Sequence, residues 1–119
     1  MAFAACSKDS PEQQAVRAAV SYYERLAAGA PADFFAGKAG ADTLPADYRQ
    51  QLLEACRRYS ADMEHKHGGL RAVAASSNAS RRDTSLGVVY AFLLLSFGDS
   101  TQEEITVPMV EYDGRWMMK

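Results

Sequence analysis

Two histidines near the middle of the chain have side chains that could bind a metal ion. His65 and His67 flank Lys66 and follow Met63, which adds a soft thioether. Residues two positions apart on a helix point in different directions, and helical metal-binding pairs are normally four residues apart. Histidines close to a helix C-terminus are also stabilised by the helix dipole. We therefore interpret both histidines as structural and predict no metal site.

Cys56 could act as a nucleophile if a neighbouring base or cation lowered the pKa of its thiol. It falls on the same helical stripe as Leu52 and Met63, whereas Arg57 and Arg58 diverge from that stripe. Cysteine is also among the residues most often found buried. The sequence thus favours an inert cysteine in the core.

The carboxylates of the loop region give no sign of acid–base chemistry. Asp33, Asp42 and Asp47 lack a paired spacing suited to a general acid and base. The chain has no glycine-rich phosphate loop, no Cys-x-x-Cys pair and no Gly-x-Ser-x-Gly turn. We predict no catalytic residue and no cofactor.

Aromatic side chains are the remaining candidates for a binding site. They could line a pocket for an aromatic or lipid-like ligand, although aromatic residues at such spacings more often belong to an ordinary core. The predicted pocket residues are Tyr23, Phe34, Phe35, Tyr59, Tyr90, Phe92 and Trp116.

Composition limits the class of partner. The 119 residues carry a net charge of −2, which argues against a nucleic-acid-binding protein. The only tight basic pairs, Arg57-Arg58 and Arg81-Arg82, are explained by a solvated surface. The longest apolar run, 88–95, has eight residues and is too short to span a membrane.

The amino terminus resembles the end of a bacterial lipoprotein signal, in which small residues precede a cysteine that becomes lipidated. Here the cysteine is Cys6, and the residues before it are too few for the apolar region of a signal peptide. We expect residues 1–9 to be a signal remnant and tether, and residues 10–119 to form one α+β domain. Lipidation of Cys6 would place the protein at the cell envelope and make the lipid anchor its only contact with the membrane.

The elements that position these residues begin with two helices. Ser10, Pro11 and Gln13 predict a capping box at the start of the first helix, and Gly29 predicts its end. A short turn of helix is expected at 33–35. A second long helix is predicted from Pro45 to His67, with its core-facing stripe formed by Leu52, Cys56, Tyr59 and Met63.

After Gly68-Gly69 the apolar period changes from that of a helix to that of a strand. Strands are predicted at 70–78, 86–97, 104–112 and 115–119, with a polar turn at 80–85 and a hairpin turn at Asp113-Gly114. Helices followed by turn-linked strands predict a curved four-stranded antiparallel sheet with two to three N-terminal helices on one face.

The second predicted strand is apolar on both faces, because residues of both parities between Val88 and Leu95 are hydrophobic. A strand with only one buried face would alternate with polar residues. The helices can cover only one face. A second subunit, an apolar ligand or a further bend of the sheet must therefore cover the other.

Several segments together resemble a family. The chain is similar to small bacterial lipoproteins of unknown function that have the cystatin-like, nuclear-transport-factor-2-like cone fold, a group also called lumazine-binding-like. The resemblance rests on Cys6-Ser7-Lys8 before Ser10-Pro11-Glu12, Tyr22-Tyr23 with Leu26, Gly68-Gly69-Leu70, Gly98-Asp99-Ser100, and Asp113-Gly114-Arg115-Trp116-Met117-Met118.

The resemblance implies a helix-covered curved sheet that often pairs with a second copy, and it implies no established activity. We therefore expect a non-enzymatic ligand-binding or protein-interaction module of the cell envelope, with a homodimer through the sheet or a small apolar ligand as its partner. The alternative is a small isomerase- or dehydratase-like enzyme that uses tyrosines and a loop aspartate in the cone cavity.

Overall fold

The structure is a computed structural model and describes residues 9–119. Three helices come first: α1 (Pro11–Ala27), α2 (Pro31–Phe35) and α3 (Ala46–His67), with a short 3₁₀ turn at Ala41–Thr43. Five strands follow: β1 (Leu70–Ala75), β2 (Arg81–Asp83), β3 (Val88–Phe97), β4 (Gln102–Tyr112) and β5 (Arg115–Met118). The predicted order, helices first and then strands, is therefore confirmed, and β2 is a fifth strand that was not predicted.

Helix α1 begins with the predicted capping box. The Ser10 hydroxyl accepts a hydrogen bond from the Gln13 backbone N–H at 3.1 Å, and the Gln13 side chain accepts one from the Ser10 N–H at 2.8 Å. Both satisfy N–H groups that have no partner within the helix. After Ala27 the chain turns at Gly29, whose φ of +80° is readily available only to glycine.

The sheet is antiparallel, in the order β1-β3-β4-β5, and the short β2 pairs with the same edge of β3 as β1 does. The predicted polar turn at 80–85 was therefore wrong in part. Arg81–Asp83 pairs with Val88–Tyr90, and the turn comes later, where Asp83 accepts hydrogen bonds from Ser85 and Leu86. The hairpin at Asp113-Gly114 is confirmed, because both residues have positive φ, as the favoured hairpin turn requires.

The core lies between α1 and one face of the sheet, which we call the closed face. On β3 this face carries Val89, Ala91, Leu93, Leu95 and Phe97, all buried. Ala15 and Ala19 of α1 are fully buried against it, because their small side chains let the helix backbone approach the strands. The Tyr22 hydroxyl donates to the Trp116 carbonyl at 2.8 Å and links α1 to β5.

Helix α3 packs less deeply than predicted. Of its predicted core stripe only Met63 is buried, whereas Leu52 and Cys56 are half-buried and Tyr59 is 40% exposed. The helix is held mainly by α2 near its start and by β1 near its end. Expecting the stripe to be core was wrong, because most of this helix has no sheet beneath it.

The end of α3 is fixed to the β3–β4 turn through backbone groups. The Gly98 N–H donates to Gly69 at 2.9 Å and the Asp99 N–H donates to His67 at 2.8 Å. A Cβ on Gly98 would lie 2.4 Å from the Gly68 carbonyl oxygen, so only glycine fits at this crossing.

The architecture is α+β, as predicted: three helices pack on a curved antiparallel sheet of the four long strands, and the short β2 adds to its β3 edge. Along residues 9–119, no helix has the length and apolar character needed to cross a bilayer.

Candidate functional site

The side of the sheet that points away from the core carries a row of partly exposed apolar residues. Tyr90, Phe92 and Leu94 of β3 alternate with buried residues, and Pro108 and Val110 of β4 are half-buried beside them. None of these five packs against either core cluster of the described residues. We call them the open face.

The two ends of the open face carry opposite charges. Glu104 lies beside Leu94 on β4, and Arg81 lies beside Tyr90 on β2. Hydrogen bonds from Ser76 and Asn78 to the Glu104 carboxylate lower its pKa, which keeps this end negative. By strand register the face thus has an acidic residue at one corner, Phe92 at its centre and a basic residue at the other corner, and the Glu104 carboxylate reaches across β3 to its two hydrogen-bond donors.

On the side of the sheet that carries the open face, the end near Val88 and Met117 is covered by other parts of the chain. Val88 is 1% exposed and Met117 is 5% exposed, although both alternate onto the side of Tyr90 and Val110. The chain at 37–39 runs along the β5 edge, where the Ala39 N–H donates to the Met118 carbonyl at 2.7 Å. At this end of the sheet Tyr112 is still 37% exposed, whereas Val88 and Met117 are covered.

A cavity of about 500 Å³ opens where the chain leaves the sheet between β1 and β2. Val16 and Val20 of α1 line it together with Ala75 and Phe92, and Arg17 and Ser80 contribute polar groups. We call it the gap cavity. Its mostly apolar lining suits a small apolar ligand.

A second cavity, of about 300 Å³, lies at the other end of the sheet, between α2, the start of α3 and the β4–β5 hairpin. Its apolar floor consists of Phe35, Ala41 and Met117, all buried. We call it the rim cavity. Its charged lining side chains are Lys38, Asp42, Arg49, Asp113 and Arg115.

A shallow cleft of about 290 Å³ runs beside α3 and contains Phe35, Lys38, Leu52, Cys56 and Tyr59. Burial raises the pKa of the Cys56 thiol, and nearby Lys38 offsets only part of that effect. A cysteine with a raised pKa is mostly protonated at neutral pH and is a weak nucleophile.

Tyrosine hydroxyls near this cleft are also held in their neutral form. Burial, with smaller contributions from Tyr59 and Cys56, raises the pKa of Tyr23 to about 12. Burial and then Glu103 raise the pKa of Tyr59. Both hydroxyls therefore stay protonated at neutral pH and are poor candidates for a general base.

The structure separates the seven predicted pocket aromatics. Tyr23 and Phe34 form an edge-to-face pair with ring centroids 4.9 Å apart, and both pack against the core clusters. Phe35 and Tyr59 line the α3 cleft. Trp116 packs against the closed-face cluster.

The two remaining aromatics, Tyr90 and Phe92, belong to the open face, and Phe92 also lines the gap cavity. The seven residues therefore contribute to separate surfaces rather than to one pocket. The rim cavity was missed by sequence reasoning, because its cations come from three distant segments with no shared motif.

The two histidines have different surroundings. The His67 ring lies 3.1 Å from the Asp99 carboxylate and 4.9 Å from the Phe97 ring centroid, while His65 is exposed. From residue 9 onward, no group of three or more histidine, cysteine or acidic side chains is placed to hold an ion. Cys6, the predicted lipidation residue, lies outside the described residues.

Comparison with known proteins identifies the fold and nothing finer. No family model and no curated protein matches the chain. A crystal structure from Campylobacter jejuni, of a protein provisionally described as a transpeptidase similar to nuclear transport factor 2 (NTF2-like), superposes with a TM-score of 0.63. The match covers 84% of this chain and 92% of that one, at 10% sequence identity. The predicted nuclear-transport-factor-2-like fold is therefore confirmed, whereas membership of the lipoprotein group stays a prediction.

Proposed function

We propose that the protein is a non-enzymatic binding module that pairs with a second copy through its open face. The observation that carries this proposal is the row formed by Tyr90, Phe92, Leu94, Pro108 and Val110, which stays partly exposed while the same strand is fully buried on its other side. Partly exposed apolar side chains that lie next to one another on a sheet form a surface that a partner can cover.

The charges beside the row favour a second copy as the occupant. Glu104 and Arg81 lie on opposite sides of Phe92, along a diagonal of the sheet. A two-fold axis that crosses this diagonal near Phe92 would bring Glu104 of each copy onto Arg81 of the other. Two-fold interfaces require such self-complementary surfaces, so the face suits itself better than it suits an unrelated partner.

The second part of the proposal concerns location. If Cys6 carries a lipid, the residues up to the start of α1 form a short tether that holds the module at the cell envelope. Mass spectrometry of the protein from its native host tests this part alone. A diacylated Cys6 would support it, and an unmodified Cys6 would refute it without affecting the pairing.

The pairing is tested by analytical ultracentrifugation over a concentration series. We expect wild-type protein to shift from monomer to dimer and Phe92→Lys to stay monomeric, since two ammonium groups would meet at the centre of the interface. Thr106→Lys should act in the same way, because Thr106 is exposed beside Phe92 and its replacement leaves the core intact. Leu53→Lys, at a half-buried position on α3, is the matched control and should dimerise normally.

Exchanging the charges of Arg81 and Glu104 tests how the two copies are oriented in the proposed dimer. Arg81→Glu should weaken the dimer, and combining it with Glu104→Arg should restore much of the lost affinity, because each pair would again join opposite charges. Wild-type protein that remains monomeric at every concentration would refute the proposal, as would a dimer that Thr106→Lys leaves unchanged.

The alternative, a small isomerase- or dehydratase-like enzyme, needs an acid or base that faces a cavity. Of the loop aspartates considered in the sequence analysis, Asp42 lines a cavity: it faces the rim cavity together with Tyr112. This alternative would be supported by isomerase or dehydratase turnover of a substrate that the Asp42→Asn variant still binds but no longer converts.

A further inference from the structure

We infer that the rim cavity binds a small amphipathic anion, a carboxylate or phosphate that carries a short apolar chain. Lys38, Arg49 and Arg115 come from the loop after α2, from α3 and from β5, and all three line this one cavity. They converge in a chain whose net charge is −2, so this positive cluster differs from the protein as a whole.

None of the three cations forms an ion pair with a side chain among the described residues. Within residues 9–119, the ion pairs closer than 4.0 Å are formed by other side chains. Lys38 and Arg49 make only long contacts, at 3.4 and 3.5 Å, to the backbone carbonyls of Lys119 and Leu44. Their hydrogen-bonding capacity is therefore available to a ligand, and the planar guanidinium of an arginine suits a carboxylate or phosphate group.

Two carboxylates in the same lining set the preferred charge of the ligand. The lining contains two carboxylates, Asp42 and Asp113, and three cations, so its net charge is one positive charge. A carboxylate head group would be neutralised there, whereas the second charge that a phosphate monoester carries at neutral pH would be repelled by the two carboxylates.

The floor of the cavity provides apolar contact. Phe35 and Ala41 are 7% exposed and Met117 is 5% exposed, so this floor is fixed by packing before any ligand arrives. The surrounding loop is also held in place: the Met118 N–H donates to Gly37 at 2.8 Å, and the Thr43 hydroxyl donates to Gly40 at 2.7 Å. A preformed site loses little conformational entropy on binding.

The size of the cavity limits the apolar chain. About 300 Å³ is at the small end of the range for ligand pockets. A chain of about six carbons with one anionic head group is therefore the appropriate probe, rather than a long-chain lipid.

The test is an NMR titration of ¹⁵N-labelled protein with hexanoate and, separately, with hexyl phosphate. Hexanol and acetate are the matched controls, since one lacks the charge and the other lacks the apolar chain. We expect saturable shifts at the amides of Ala41, Arg115 and Met117, with both controls binding at least tenfold more weakly than the better of the two anions.

Substitutions test the role of the cations. The double variant Arg49→Gln, Arg115→Gln should weaken binding at least tenfold, and Arg58→Gln, an exposed position on α3 outside the cavity, should leave it unchanged. Arg115→Lys keeps the charge but loses the planar donor pair, so an intermediate loss is expected. The spectrum of each variant also reports whether it is folded.

Three results would overturn the inference: hexanol binding as tightly as hexanoate, Arg58→Gln weakening binding as much as the double variant, or no saturable shift with either anion. The inference does not depend on the proposed pairing. Repeating the titration in the Thr106→Lys variant separates the two, because that substitution lies on the open face and outside the rim cavity.

Discussion

The two sides of β3 carry similar side chains and have different surroundings. Leu93 and Leu95 on the closed face are fully buried beneath α1 and its neighbours, whereas Leu94 on the open face is only partly covered. Residue type alone therefore does not decide burial in this strand. What decides burial is whether another element packs over the side chain, and among the described residues α1 packs over the closed face.

The same difference indicates that one face of β3 stabilises the fold and the other is available for association with a partner. The closed face is built from close packing, with alanines of α1 in direct contact with the strands. The open face is flanked by Glu104 and Arg81. Burying such charges in a core would cost desolvation free energy. We expect substitutions on the closed face to affect folding and substitutions on the open face to affect association.

The largest effect should come from shortening one leucine on each side of the same strand. Leu93→Ala should lower the free energy of unfolding by about 2 to 5 kcal/mol, because it leaves a cavity in the core. Leu94→Ala should lower it by less than half as much, because that side chain is already partly in water. Chemical denaturation at concentrations that favour the monomer measures both, and equal losses would contradict the distinction between the faces.

A smaller effect is expected where α3 is fixed to the sheet. Gly98→Ala should lower the free energy of unfolding by about 1 to 3 kcal/mol, since the new Cβ would meet the Gly68 carbonyl oxygen at 2.4 Å. Hydrogen exchange should also speed up at the amides of Gly98 and Asp99, which bond to the end of α3. Unchanged exchange at both amides would show that this crossing does not hold the helix.

The smallest effect concerns pH. Hydrogen bonds from the Thr101 hydroxyl and backbone, and then from His67, lower the pKa of Asp99 to about 2. A carboxylate with a depressed pKa in the folded state stabilises the protein above its unfolded pKa, and that contribution is lost as the pH falls from about 4 to about 2. The difference in denaturation midpoint between wild type and Asp99→Asn should therefore shrink over this range, and a constant difference would contradict the assignment.

Local signals in the sequence were sufficient for the start of α1 and for the last hairpin, whereas the predicted ends of β1, β3 and β4 differ from the observed ones by about two or three residues. The Ser10–Gln13 capping box and the Asp113-Gly114 turn each depend on a few neighbouring residues, and both form as predicted. The two-sided apolar character of β3 predicted that its outer side would also be covered, and the described residues cover that side only in part, so a partner there stays a prediction.

Features that depend on distant segments could not be predicted from the sequence. Strand β2 has a polar sequence typical of a turn, and only its pairing with β3 makes it a strand. The stripe on α3 has the spacing of a core helix, but the sheet does not extend beneath most of it. The rim cavity requires Lys38, Arg49 and Arg115 to meet in space, which no local pattern encodes.

The central claim is that two open faces meet around Phe92, and a mixed sample tests it most directly. Equal amounts of ¹³C,¹⁵N-labelled and unlabelled protein are combined, and an isotope-filtered NOE experiment detects only contacts between copies. We predict intermolecular NOEs from the Leu94 methyl groups and the Phe92 ring, and their loss in Thr106→Lys. A dimer whose intermolecular NOEs come from α3 or the β4–β5 hairpin, with none from Phe92 or Leu94, would contradict the claim.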